Sequence, residues 1–203
     1  MAKIETLEAL RAIYRAPSKT VIDKAINRLD THCRTFLSLS PFCALATQGA
    51  DGLGDVTPRG DAPGFVAVLD DWTIALPDRP GNNRLDTLTN VIENPGVGLL
   101  FLIPGFDDTL RINGTAEIRD DADLKARFAV GGKEPATVLV VHVKEAYLHC
   151  AKAFMRSKLW DPDARVDRSA MPPLGQMIKD QLALDTEVLS EAELQKVYRE
   201  TLY

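Results

Sequence analysis

DVTPRGDAPGFVAVLDDWTIALPDRPGNNRLDTLTN, residues Asp55–Asn90, is the stretch on which the reading of this chain turns. It holds two apolar runs of strand length, Phe65–Leu69 and Thr73–Leu76. Two arginine-bearing turns bracket them, Thr57-Pro58-Arg59-Gly60 and Asn82-Asn83-Arg84. Runs separated only by Pro, Gly and Asp read as strands joined by tight turns. Closely spaced strands bring both arginine segments to one side of a sheet, where guanidinium forks, amides and a hydroxyl face a single anion. Arginine suits phosphate because its planar donor fork matches two oxygens at once. The stretch therefore points to phosphate binding without a Gly-rich loop.

Outward from this centre, the strand period continues in both directions. FCALAT (Phe42–Thr47) is a short apolar run, and Gln48–Gly54 is a turn rich in Gly and Asp. On the far side, Leu85–Glu93 reads as a short helix stopped by Asn94-Pro95-Gly96. VGLLFLI (Val97–Ile103), Leu110–Arg119 and Val138–His149 read as strands, with a helix expected over Asp120–Val130. The chain begins with helical periodicity over Thr6–Tyr14, and Ser18 is placed to cap a second helix running to Leu39. The expected class is α+β, mainly β: an antiparallel split barrel flanked by helices. One domain over 1–203 is expected, with N-terminal helices over 1–40, a barrel core over 41–150 and a C-terminal helical segment over 151–203. The C-terminal stretch Leu184–Tyr203 is charged and amphipathic and reads as a docked surface helix.

A chain of 203 residues with 45% hydrophobic content can bury one sizeable core. Its net charge of −5 argues against a nucleic-acid partner, which calls for a basic face or a recognisable module. No apolar run approaches the ~20 residues that cross a bilayer, and the first residues lack a signal-peptide pattern, so a cytoplasmic location without membrane contact is expected. Three cysteines, Cys33, Cys43 and Cys150, without CxxC spacing, argue against a disulfide framework and against a zinc site. The motifs of P-loop, dinucleotide fold, serine hydrolase and zinc protease are all absent.

The second cluster of interest is HCAKAFMRSKLWDP, His149–Pro162. Lys152 and Arg156 stand four apart, on one face of a helix, where like charges repel unless an anion lies between them. An ordinary solvated basic patch accounts for them equally well. Trp160 favours a ligand, because an aromatic plane beside cations suits a planar anion. His149 is the one histidine near this cluster, and it either contacts a ligand or pairs locally. Cys150 has no partner motif of a thiol nucleophile. No catalytic side chain is identifiable.

At these two clusters the chain resembles the pyridoxamine 5′-phosphate oxidase-like flavoproteins, and in particular a subgroup of uncharacterised FMN-dependent enzymes. The resemblance rests on TPRGDxPGF at Thr57–Phe65, PDRPGNNRxDTLxN at Pro77–Asn90, NPxVGLLFxIPG at Asn94–Gly105, TLRxNGxA at Thr109–Ala116 and HCxKAxxRSxLW at His149–Trp160. It spans about residues 30–165. It implies an FMN-binding split β-barrel that pairs as a homodimer, with FMN in two clefts at the interface. In that scheme Arg59 and the Asn82–Arg84 turn hold the phosphate, with Thr57, Pro58 and Asn90 nearby. Lys152, Arg156 and Trp160 approach the flavin from the partner chain or cover it. The RxxP-like ending of authentic pyridoxamine phosphate oxidases is missing, so the small-molecule substrate is not specified.

The flavin carries its own redox chemistry, which agrees with the lack of an obvious nucleophile or triad. An FMN-dependent oxidoreductase is the leading expectation. The alternatives are a non-catalytic flavin- or haem-binding protein for storage or sensing, a cleft holding F420 or haem in place of FMN, and a structural dimer without cofactor.

Overall fold

The computed structural model describes residues 3–203. Seven strands form one antiparallel sheet: β1 (Phe42–Gln48), β2 (Gly54–Gly60), β3 (Ala67–Val68), β4 (Thr73–Pro77), β5 (Gly96–Leu102), β6 (Thr109–Arg119) and β7 (Val138–His149). Their order is β2-β1-β5-β6-β7-β4-β3. The sheet curls but does not close, so β2 on one side and the β3–β4 hairpin on the other leave a split. This is the α+β split barrel that the sequence implied.

Strand alternation builds the core. In β1 and β5 every second residue is buried, and Cys43, Leu45, Leu99 and Phe101 face inward. Leu110 and Ile112 from β6 and Val141 and Ala146 from β7 complete the interior. On the opposite face, Phe42, Ala44 and Ala46 pair across with Leu102, Leu100 and Gly98. These side chains are small or apolar, and all are half-buried or exposed. The β6–β7 ladder is bulged between Asn113 and Gly114. A Cβ at Gly114 would overlap the His142 carbonyl, so the bulge requires glycine.

The helical regions depart from expectation in three ways. The helix read from Ser18 to Leu39 is two helices, α2 (Lys19–Asp23) and α3 (Thr31–Leu39), and Ser18 makes no side-chain cap. Tertiary pairing breaks it: Ile26 exchanges both backbone hydrogen bonds with Ala146 of β7, at 3.0 and 2.7 Å, and Asp30 caps α3 through the Cys33 amide. The Asp120–Val130 segment is helical only over α5 (Ala122–Ala126), after which Phe128 is buried and Val130 bridges to Lys133. The Leu184–Tyr203 stretch is helical only over α8 (Glu191–Glu200), started by a Ser190–Glu193 capping box, and a separate helix, α7 (Leu174–Leu182), precedes it. Of the leading helices, α3 buries Cys33, Phe36 and Leu37, whereas α1 (Leu7–Ile13) and α2 bury no residue. The remaining helices are α4 (Asp86–Glu93) and α6 (Lys152–Ser157). Among the described residues, no helix is long and apolar enough to cross a membrane.

Candidate cofactor cleft

A cleft of ≈ 880 Å³ occupies the split of the barrel. Thr57, Pro58 and Arg59 line one wall from β2, and Asn82, Asn83 and Arg84 line the other from the loop after β4. The two arginine segments, far apart along the chain, thus share one cavity. Thr57–Gly60 is not a turn, however: it is the second half of β2, where alternation sends Thr57 and Arg59 to the same side. Arginine on a strand is better restrained than on a turn, because the pairing Cys43↔Arg59 fixes its backbone.

The second arginine is held by backbone distortion. Asn83 and Leu85, on either side of Arg84, both lie in the left-handed region, with φ of 58° and 60°. For a leucine this conformation costs roughly 1–2 kcal/mol, and such residues persist where surrounding structure imposes them. The Asn82 carboxamide oxygen accepts from the Arg84 amide at 3.0 Å, which closes the turn. Leu85 then serves as the N-cap of α4 without any side-chain cap.

Each cleft arginine has an aspartate partner. Arg59 Nη1 donates to Asp78 at 2.6 Å, Arg84 Nε donates to Asp86 at 2.9 Å, and Arg79 Nε donates to Asp61 at 2.7 Å. The first and third pairs are largely buried, the second is exposed. Arg59 and Arg84 each keep further N–H groups without a protein acceptor among the described residues. A guanidinium engaged on one edge still offers donors on another, so this set suits a phosphate. Burial pushes the Cys43 thiol up to about 12 despite the Arg59 charge beside it, so it stays protonated under the cleft.

Arg79 and Asp78 carry a role that sequence reasoning missed, although both stand in the PDRPGNNR motif. Arg79 also donates to the Phe128 carbonyl at 2.8 Å and lies 5.3 Å from the Tyr203 ring. The Tyr203 hydroxyl donates to Asp61 at 2.6 Å, and the Tyr203 carbonyl accepts from Lys133. Burial opposes the charge on Asp61, but hydrogen bonds from Tyr203, the Ala62 amide and Arg79 hold its carboxyl below the usual range. Tyr203, beyond α8, thus braces a wall of the cleft through Arg79.

The other expected site residues lie elsewhere in this chain. Asn90, on α4, turns to β1 and donates to Thr47 Oγ1 at 3.0 Å; it does not line the cleft. Lys152 and Arg156 are exposed on α6, outside the cleft, and neither has a carboxylate partner among the described residues. Trp160 stacks on Phe154 at 5.8 Å and donates its indole N–H to the Phe106 carbonyl. Among the described residues, no group of three or more His, Cys, Asp or Glu is placed to hold a metal ion.

The family model for pyridoxamine 5′-phosphate oxidase matches residues 29–150, the whole barrel with α3. Among solved structures, a histidine-to-alanine variant of HupZ from Group A Streptococcus superposes with a TM-score of 0.50 at 18% identity. That match covers 60% of this chain and 99% of the HupZ chain. General Stress Protein 26 of Bacillus anthracis gives 0.44 at 18% identity, covering 56% of this chain and 88% of that one. Rv2991 of Mycobacterium tuberculosis gives 0.42 at 18% identity, covering 77% and 96%. At 18% identity the HupZ likeness is one of fold. No curated protein matches the chain.

Proposed function

The chain belongs to the pyridoxamine 5′-phosphate oxidase family, and on that premise we propose that it is an FMN-dependent oxidoreductase acting on a small organic molecule. The observation that carries this reading is the shared cleft. Two arginine segments from opposite sides of the split line one cavity of ≈ 880 Å³, a volume in the range of small-molecule and cofactor sites. Arg59 and Arg84 would hold the phosphate, with Thr57 and the Asn82–Asn83 turn supplying neutral donors. Bound flavin would supply reversible electron transfer, leaving the protein to bind, orient and shield.

The second half of the reading is a homodimer. Lys152, Arg156 and Trp160 lie on or beyond α6, outside their own cleft, and the two cations lack carboxylate partners among the described residues. The outer sheet face formed by Phe42, Ala44, Ala46, Gly98, Leu100 and Leu102 carries small and apolar side chains. A second copy seated there would bring its α6 cations to the cleft. In that arrangement they would balance phosphate charge that three aspartate-paired arginines meet only in part.

Two measurements test this reading. The purified protein, reconstituted with FMN, is expected to show flavin absorbance and to release FMN on denaturation, identified by mass. Titration with reduced nicotinamides and a substrate panel is expected to bleach that absorbance. A protein that takes up no FMN overturns the cofactor assignment. One that binds FMN but never changes redox state is a binding protein rather than an enzyme.

A further inference from the structure

The segment that carries α7 and α8 is fastened at its two ends. At one end Trp160 donates its indole N–H to the Phe106 carbonyl at 2.7 Å. At the other, Tyr203 donates its hydroxyl to Asp61 at 2.6 Å, and its carbonyl accepts from Lys133 Nζ at 2.7 Å. The Tyr203 ring lies 5.3 Å from the Arg79 guanidinium carbon. Between these anchors, no hydrogen bond or ion pair joins residues 161–202 to the barrel among the described residues. Neither α7 nor α8 buries a residue, so no apolar core holds them down.

The segment nevertheless has structure of its own. Arg168 Nη2 donates to Glu191 at 2.9 Å, which ties the turn before α7 to the first turn of α8. Gly175 of α7 packs so closely on Val188 that a Cβ there would stand 2.7 Å from the valine Cγ1. Residues 161–202 thus fold upon themselves and are pinned at their ends, outside the shared barrel of residues 29–150. A unit with so few buried contacts belongs to the low-stability end of a structure, where local opening occurs.

The place where Tyr203 lands decides what such opening does. Asp61 directly follows β2 and Arg79 stands two residues beyond β4, so their ion pair at 2.7 Å crosses the split. Arg79 also lines the cleft. Tyr203 therefore clasps both sides of the opening at once, the β2 side through its hydroxyl and the β4 side through its ring. Lys133, between β6 and β7, adds a third point. Undocking of one residue withdraws all three contacts together.

We propose that residues 161–203 form a strap, latched by Tyr203 onto the Asp61–Arg79 pair, that gates exchange of the ligand in the cleft. Latched, the strap holds the split closed. Unlatched, Asp61 and Arg79 keep only each other across the opening, and the split widens for passage. On the reading that FMN fills the cleft, Arg59 and Arg84 hold its phosphate, so the latch governs rates of passage rather than affinity.

Stopped-flow flavin fluorescence on the full chain tests the gate. Tyr203→Ala is expected to raise the association and release rates of FMN together by about tenfold, the loss of one charge-assisted hydrogen bond. The dissociation constant, their ratio, is expected to stay within about twofold of wild type. Lys133→Met removes a latch contact without touching Asp61 or Arg79, and is expected to raise both rates by a smaller factor. Unchanged rates overturn the proposal. So does a release rate that rises alone with weaker binding, since Tyr203 then shapes the site without gating it.

Phenylglyoxal, which modifies accessible guanidinium groups, reads the latch without any flavin. By peptide mass, Arg79 is expected to react several-fold faster in Tyr203→Ala, with Arg34 on α3 unchanged as the reference. An Arg79 that reacts no faster overturns the strap even if the protein binds no FMN. Failure to take up FMN, by contrast, removes the cofactor assignment and leaves the Arg79 rate to decide on the strap.

Discussion

Arg59, in edge strand β2, and Asp78, one residue beyond β4, reach each other across the split of the barrel at 2.6 Å. No backbone ladder joins these two strands. The ion pair therefore does two things: it ties the open sides of the sheet together and orients a cleft arginine. Removing one partner affects both functions, with different signs for Arg59 and Asp78.

Arg59→Ala deletes a phosphate donor, and FMN affinity is expected to fall at least tenfold, since a charge-assisted hydrogen bond is worth ~1.5–3 kcal/mol. Asp78→Asn frees the guanidinium and removes a negative charge from the wall, so FMN affinity is expected to rise while thermal stability falls. Fluorescence titration of FMN against both variants, alongside their melting curves, reads the two effects separately. Weaker FMN binding in Asp78→Asn would contradict this account.

Arg84 makes its ion pair in the open, with 73% of its side chain exposed. Exposed pairs contribute ~0–1 kcal/mol, so Arg84→Ala is expected to leave the melting temperature almost unchanged. Its FMN affinity is nevertheless expected to drop at least tenfold. A large melting shift would mean that the turn, rather than the ligand, depends on this arginine.

Leu85→Gly tests the distorted loop. Glycine adopts positive φ at no steric cost but has more freedom to lose on folding. The two effects nearly cancel in stability, while the turn around Arg84 loosens. Calorimetry should show a shift within about 1 kcal/mol, together with weaker FMN binding.

The two buried thiols make stability fall in alkali. Burial raises Cys33 to about 11 and Cys43 to about 12, above their ordinary value of 9.0. Between those values the unfolded chain has lost protons that the folded chain keeps. Stability is therefore full below pH 9 and declines as pH rises towards 12. Denaturant midpoints measured across that range should decrease, and Cys33→Ala/Cys43→Ala should flatten the dependence. At neutral pH a thiol reagent should modify the exposed Cys150 quickly and the other two only on unfolding.

Tyr203→Phe removes the hydroxyl donor to Asp61 and leaves the ring over Arg79. The expected loss is about 1 kcal/mol, read as a lower melting temperature, because the donor is a neutral phenol at a partly exposed position. Unchanged melting would show that Arg79 and the Ala62 amide suffice for Asp61.

Much of this architecture was legible because strands announce themselves by period. Val138–His149 is β7 to the residue, and VGLLFLI falls within one residue of β5 at each end. The motif residues from Thr57 to Arg59 and from Asn82 to Arg84 do line one cavity. The misses have a common origin in distant contacts. Ile26 fits a helical stripe, yet it pairs with Ala146, far along the chain, and splits the helix. Phe128 ends α5 by burying itself against β4 and β7. Asp61 and Tyr203 are separated by 142 positions, and nothing in the local pattern of either announces the other. Asn90 fits a phosphate site by its motif, but helix geometry turns its amide to Thr47.

A barrel fastened at its opening by side chains has a seam that can part while every ladder bond stays intact. Ion pairs yield to dissolved salt far more readily than backbone hydrogen bonds do. Exchange of whatever occupies the seam should therefore quicken with ionic strength well before the protein loses structure, separating the release of cargo from the melting of its container.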